Sequence, residues 1–258
     1  MAIRGIDISK WNGNIDWERV KKSGLVDFAI IREGYGRKDP KQIDKKFKDN
    51  ISGAESVNIP VGVYHYSYAD SQIDAINEAQ FCLENIKGYK LGYPVVFDIE
   101  DKELLKLNTR QRTDIVKAFC GEIENAGYYA MFYCNLNWLN NYLYKNELLP
   151  KYDLWLAQWS VSTPAEKCGI WQYSDTGNIY GISGNVDLDF AYKPYPDIMA
   201  EKGINNYSKP TSEVTYIVQK GDTLTAIAKK YNVSIKHIAD KNNIKDVNKI
   251  YVGQVLKI

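Results

Sequence analysis

The chain has 258 residues, 45% hydrophobic and 25% charged, enough to bury a substantial core in more than one domain. Its 33 basic and 32 acidic side chains leave a formal charge of +1, so composition carries no nucleic-acid signature, and no apolar stretch is long enough for membrane insertion. Two His and four Cys without close spacing form neither a metal motif nor a disulfide framework; no cofactor is expected, and the thiols read as small buried apolar groups.

The opening Met-Ala-Ile-Arg leads straight into Gly5-Ile-Asp-Ile-Ser9, a short β-branched run that reads as a buried strand and leaves no room for a signal peptide. The expectation is a protein made in the cytoplasm. Phe28-Ala-Ile-Ile-Arg-Glu33 and Val61-Gly-Val-Tyr-His-Tyr-Ser67 read as further strands. Between Ser71 and Gly88, Ile76, Ala79, Leu83 and Ile86 recur at helical spacing, with Ser71 and Asp74 as a capping box and Gly88 as a stop. Tyr93-Pro-Val-Val-Phe-Asp-Ile-Glu100 is the next strand. A second helical stripe, Val116, Phe119, Ile123 and Ala126, runs between Asn108 and Gly127. Four strands follow: Tyr128–Cys134, Leu154–Trp159, Gly169–Tyr173 and Val186–Phe190.

Strands alternating with helices imply a parallel sheet, and eight of them predict an α/β fold, a closed (β/α) barrel. The spacing after Trp159 is too short for full helices, so the barrel is expected to be irregular, with few outer helices. In such barrels the chemistry sits where the strands' C-terminal ends converge. Asp7, Asp98, Glu100 and Asp187 fall at or near such ends, and Arg32, Tyr64, Tyr66, Gln158, Trp159 and Tyr173 occupy comparable positions. Asp98 and Glu100 leave one face of their strand, roughly 6.6 Å apart along the backbone. Acids this close ionise interdependently. A lone Asp-x-Glu is often only a solvated turn, but four acids aimed at one mouth are costly to bury without a catalytic reason. Twenty Tyr and six Trp add flat rings suited to sugar faces.

Gly5-Ile-Asp-Ile-Ser9, Asp98-Ile-Glu100 and Val186-Asp-Leu-Asp189, in that order and on those strands, resemble the glycoside hydrolase family 25 lysozymes. The likeness runs from about Ile3 to Tyr192. The last motif in that family often reads Asp-x-Asn, where this chain has Asp189. The resemblance implies an N-acetylmuramidase that retains anomeric configuration. Glu100 would be the proton donor. Asp98 would stabilise the oxocarbenium-like transition state, directly or by positioning the 2-acetamido group, and Asp7 and Asp187 would hold charge and bind sugar.

After the barrel, assigned to residues 1–195, the stretch 196–212 is polar and aperiodic and reads as a linker. Residues 213–258 form a predicted small βααβ unit. Its segments Gly221-Asp-Thr-Leu224, Ile227-Ala228, Asn242-Asn243 and Gly253-Gln-Val-Leu256 resemble a LysM repeat, which implies binding of N-acetylglucosamine in peptidoglycan or chitin. Gly221, Asp222, Thr223, Asn242 and Asn243 are its candidate sugar ligands. Eight Lys and four acids give this unit a net charge of +4, suited to an anionic wall, and leave −3 for the rest of the chain.

These readings converge on a peptidoglycan hydrolase, an endolysin or autolysin cutting the β-1,4 bond between N-acetylmuramic acid and N-acetylglucosamine. Without a signal peptide, it would reach the wall after holin action or lysis. A chitinase-like glycosidase and a non-catalytic wall-binding protein are the alternatives. A zinc amidase needs clustered ligands, whereas His65 and His237 lie in different domains. A Cys–His nucleophile would need a buried thiol beside His65, which itself reads as a core residue.

Overall fold

Eight strands close into a barrel in chain order: β1 (Ile3–Ile8), β2 (Phe28–Tyr35), β3 (Val61–Tyr66), β4 (Val95–Asp98), β5 (Ala130–Asn135), β6 (Asp153–Ala157), β7 (Ile170–Gly177) and β8 (Val186–Ala191). The computed structural model describes residues 2–37, 39–208 and 214–258. Side chains alternate along each strand. Ile6, Ile31, Val63, Phe97, Phe132 and Leu156 therefore face outward into the core beneath the helices. Phe28, Ile30, Val96, Met131 and Ile170 fill the lower lumen. At Gly5 a side chain is excluded, because a Cβ would lie 2.2 Å from the Phe28 ring.

The helices are α1 (Trp17–Ser23), α2 (Phe47–Ser56), α3 (Gln72–Ile86), α4 (Thr109–Asn125), α5 (Leu136–Asn141), α6 (Lys145–Leu148) and α7 (Tyr195–Lys202). The two expected long helices are α3 and α4. Ser71 caps the first through the Asp74 N–H at 3.1 Å, and Asn108 with Gln111 forms a capping box on the second. Among the described residues no α-helix lies between β6 and β8. Here the stacked rings of Tyr173 and Phe190, 4.5 Å apart, cover the wall in place of a helix.

The expectation of an all-parallel barrel needs one correction. β8 runs antiparallel to both of its neighbours, β7 and β1. The eight residues joining β7 to β8 are too few for a crossover, so the chain must turn straight back. This reversal puts the first residues of β8, not the last, at the mouth of the barrel.

The boundary expected at residue 195 also moves. Tyr195 and Met199 of α7 are fully buried against the lumen floor. Asn205, also fully buried, bonds the chain ends there: its amide nitrogen donates to Tyr93 O at 2.9 Å, and its Oδ1 accepts the Tyr129 N–H at 2.7 Å. Its backbone pairs with Leu91 and Gly127. Residues 196–207 thus belong to the barrel, because α7 buries Met199 against its floor and the Asn205 side chain satisfies buried backbone groups. Residues 209–213, the end of the expected linker and the first residue of the expected module, lie outside the described residues.

The module holds β9 (Thr215–Ile217), α8 (Leu224–Tyr231), α9 (Ile235–Lys241) and β10 (Val255–Lys257), with β9 and β10 antiparallel. Val218, Leu224, Ile227, Ile238 and Leu256 form its small core. Ser234 Oγ donates to Asp197 of α7 at 2.7 Å, and His237 lies 3.3 Å from Glu201. No helix among the described residues is long and apolar enough to cross a membrane.

Candidate active site

At the barrel mouth the strand ends enclose a cavity of about 340 Å³. Of the residues predicted from sequence, Asp7, Asp98, Glu100, Asp187, Arg32, Tyr64 and Tyr66 line it together. Asp7 comes from β1, Asp98 ends β4 and Glu100 follows two residues later. Asp187 arrives at the N-terminal end of the reversed β8, paired in register with Asp7. Arg32 is the one cation among the described lining residues, and Asp44 holds it through an Nε–Oδ2 bond of 2.7 Å. Tyr66 donates its hydroxyl to Asp101 at 3.2 Å.

Three predicted residues lie elsewhere. Tyr173 faces outward in the stack with Phe190. The Gln158 side chain accepts the Ala165 N–H at 2.8 Å outside the cavity. Trp159 sits at the rim, nearly half exposed, where its indole N–H reaches Gln172 at 3.2 Å. Among the lining residues that sequence reasoning missed is Gln172 itself. Its amide nitrogen donates to Asp7 Oδ2 at 2.8 Å, and its oxygen also accepts the Tyr133 hydroxyl at 3.2 Å. Strand alternation offered the signal: with Ile170 facing the lumen, Gln172 must follow it inward and Tyr173 must point away. Tyr133, Trp155, Asn185 and the Ser9–Asn12 turn, which carries the exposed Trp11, complete the wall.

So much negative charge with one paired cation raises every acid's affinity for protons. Burial pushes Asp98 well above the usual carboxylate range, helped by the Glu100 charge and opposed by Arg32. Burial also raises Glu100, with Asp187 and Asp101 adding to it. Asp7 is raised well above its ordinary value by burial and then by Asp189 and Asp187, and Asp187 is raised by burial. Asp98 Oδ1 is buried and receives no hydrogen bond from the described residues. The site can therefore hold protons above the usual carboxylate range and offers a bare carboxyl oxygen, the outfit of general acid–base chemistry.

Behind the mouth, His65 is fully buried between acids on the outer side of β3. Its Nδ1 lies 2.9 Å from Glu33 Oε2 and its Nε2 lies 3.0 Å from Gly36 O. Acceptors on both sides match a ring that carries both of its protons, the imidazolium form. Burial alone would push its pKa down, but the Glu33 bond and the charges of Glu33 and Glu78 raise it. Glu78 in turn accepts the Ser67 hydroxyl at 2.6 Å and the Tyr68 N–H at 3.0 Å. The ligand atoms of Glu33, His65 and Cys82 lie within 4.8 Å of one another, a spacing metals can use. Here Glu33 and His65 are already engaged in hydrogen bonds, and Asn85 also donates to Glu33. The cluster braces the loops that carry the mouth.

In the module the candidate sugar ligands have structural duties. Asp222 Oδ2 accepts the Tyr216 hydroxyl and the Gln219 N–H, both at 2.7 Å. Thr223 caps α8 through the Ala226 N–H. Asn242 exchanges two hydrogen bonds with the Lys257 backbone, extending the sheet by one side chain. Gly221 and Asn243 supply positive-φ turns, at 94° and 54°.

Residues 6–182 match the family model of glycosyl hydrolases family 25, and residues 216–258 match the LysM domain. The autolytic lysozyme of Clostridium acetobutylicum is 32% identical over 190 residues, 72% of this chain and 55% of that protein. The modular autolysin LytC of Streptococcus pneumoniae, solved with a synthetic peptidoglycan ligand, superposes with a TM-score of 0.66 at 30% identity, over 74% of this chain and 47% of that one. The CTP1L endolysin does so with a TM-score of 0.66 at 25% identity, over 93% of this chain and 80% of that one. This chain thus spans about half the length of the autolytic lysozyme and of LytC. An acid-lined mouth on a barrel closed by an antiparallel last strand, together with the match over residues 6–182, places this chain in glycosyl hydrolases family 25, with a LysM domain at residues 216–258.

Proposed function

We propose that this chain is an N-acetylmuramidase, a lysozyme that cuts the β-1,4 bond after N-acetylmuramic acid in peptidoglycan, with the LysM domain holding it on the wall. The observation that carries the reading is the Asp98–Glu100 pair in an acidic cavity, with Glu100 raised above the usual carboxylate range and Asp98 Oδ1 left without a donor among the described residues. Glu100 delivers a proton to the glycosidic oxygen. Asp98, against Arg32, carries the negative charge that the oxocarbenium-like transition state needs. Its bare oxygen accepts the 2-acetamido N–H of the muramic sugar. Gln172 orients Asp7, which with Asp187 binds the sugar at the mouth. Trp11 and Trp159 offer ring faces to the glycan on either side.

The test is the chemistry of the ends released from purified peptidoglycan. New reducing ends should fall on muramic acid, with no new free amines. Amines without reducing ends would reject a glycosidase, and reducing ends on glucosamine would make it a glucosaminidase.

A single small wall-binding module is expected to bind weakly, and tethering supplies the avidity. Because residues 195–207 close the barrel floor, the barrel should be cut after Ser208, not after Tyr195. That fragment is expected to remain folded and to hydrolyse soluble glycan at close to the full-length rate, yet to clear whole walls more slowly. Sedimentation of residues 214–258 with walls at low and high salt checks the other half. Loss of binding in high salt alone would assign anchoring to the lysines, and no binding in either would reject the module's role.

A further inference from the structure

A second cavity, of about 740 Å³, lies between the barrel and the module. Its barrel side is built where the strands begin. Ile3 opens β1, Asp27 and Pro60 stand just before β2 and β3, and Tyr93 leads into β4. Pro196 and Glu201 of α7, which follows the reversed β8, complete that side. Asp7, Tyr66, Asp98 and Glu100 line the mouth at the other ends of the same strands. A six-residue strand such as β3 sets the two ends roughly 17 Å apart. The module therefore sits on the closed end of the barrel.

Polar bonds hold it there around an apolar centre. Ser234 Oγ caps α9 by accepting the His237 N–H at 3.0 Å and donates its own proton to Asp197 Oδ2 at 2.7 Å. One hydroxyl thus serves both the module's fold and its attachment. The His237 side chain is only 8% exposed, with Nδ1 3.3 Å from Glu201 Oε1. Ala228, Tyr231 and Val233 of the module share the cavity with Ile59, Pro60 and Tyr207 of the barrel. Charge is matched across it. Among the described lining residues the barrel side carries Asp27, Glu55, Asp197 and Glu201 against one cation, Lys90, whereas the module side carries Lys229 and Lys241 and no acidic side chain. Only five residues join Ser208 to Val214, and so short a tether lets contacts suffice that would be too weak between separate molecules. The Gly221–Thr223 loop precedes α8, whereas the cavity takes the other end of that helix, Ala228 to Tyr231.

We propose that α7 docks the LysM module on the closed end of the barrel, opposite the mouth, so that the enzyme grips one glycan strand while it cuts another. In the docked state the module and the mouth cannot share one short stretch of glycan. A neighbouring strand of the same wall is what reaches the mouth. The docking stands on the geometry alone, and the assignment of two strands rests on the proposed muramidase and wall-binding roles.

The experiment has one arm for each part and uses the full chain throughout. In the first, ¹⁵N relaxation gives the rotational correlation time of barrel and module separately. Wild-type amides of residues 214–258 should share the barrel's value. The double variant Asp197→Lys/Glu201→Lys sets like charge against Lys229 and Lys241, and its module should tumble at least twofold faster while the barrel is unchanged. Asp197→Asn keeps an acceptor for Ser234 and should stay docked. A wild-type module that tumbles faster than the barrel, or a double variant that still tumbles as one body, overturns the docking through α7. If the double variant fails to fold, Asp197→Ala, which removes only the Ser234 acceptor, replaces it. In the second arm, KM per cleavable bond is measured on isolated, uncross-linked glycan strands of increasing length. For the wild type it should stay level once the mouth is filled. For the double variant, whose freed module can bind the strand being cut, it should fall several-fold on long strands and match the wild type on short ones. A wild-type KM that falls with length as steeply as the variant's would show that module and mouth share a strand, and overturns the two-strand arrangement. A wild type that cleaves no glycan would reject the muramidase reading, and the strand assignment with it, while the relaxation arm decides the docking.

Discussion

Glu100→Gln should lower wall hydrolysis by about two to four decades while the barrel stays folded. Glutamine keeps the size of the side chain but has no proton to transfer. Glu100 holds its proton above the usual carboxylate range because burial, then the charges of Asp187 and Asp101, disfavour its ionised form. The rate should therefore fall as pH rises through that raised value, and fall again in acid as the Asp98–Glu100 pair takes up its second proton. Asp98→Asn should cost a comparable amount, since it removes the charge opposing the cationic transition state. Stability should move the other way. Acids with raised pKa bind more protons folded than unfolded, so their contribution is intact at low pH and declines as pH rises above the ordinary carboxyl range. Both amide variants are thus expected to melt at higher temperature than the wild type at neutral pH, a gain in stability at the expense of activity. A folded Glu100→Gln variant with near wild-type turnover would remove Glu100 from the role of acid.

His65→Leu is expected to destabilise the barrel by about 3–5 kcal/mol, the usual cost of leaving a buried charge without its partner. Leucine fits among Phe81 and Phe119, which already pack against the ring, so lost packing is not the cause. The cost comes from Glu33 and Glu78, which lose the cation between them, and from Gly36 O, which loses its donor. The sign of the pH dependence follows from the raised pKa of His65. Its contribution is complete below the unfolded value of about 6.5 and is lost as pH rises through the folded one. Urea unfolding of wild type and variant at a series of pH values measures both effects. The gap between them should be widest in mild acid and narrow toward alkaline pH, and equal midpoints throughout would show that the cluster carries no charge.

The strand–helix alternation, the stripes of α3 and α4, and the Asp98–Glu100 pair were legible because each rests on a period within a single segment. Alternation places Asp98 and Glu100 on one face whatever the rest of the chain does. The LysM pattern was legible for the same reason: its caps at Thr223 and Ser234 act within one turn of their helices. What the chain could not reveal locally were decisions made between segments. Whether Gln172 or Tyr173 meets the cavity is a one-residue question of register, settled where β7 pairs with a reversed β8. That same reversal, not the strand's C-terminal end, carries Asp187 to the mouth opposite Asp7 and sets Asp189 beneath it opposite Gly5. Asn205 looked like linker because asparagine is polar; only closure of the barrel floor brings it to the unpaired backbone groups of Tyr93 and Tyr129, which make it a buried residue. Sequence periodicity thus determined which residues share a face, and tertiary closure decided which faces meet, because burial and hydrogen-bond satisfaction are properties of the assembled barrel and not of any one strand.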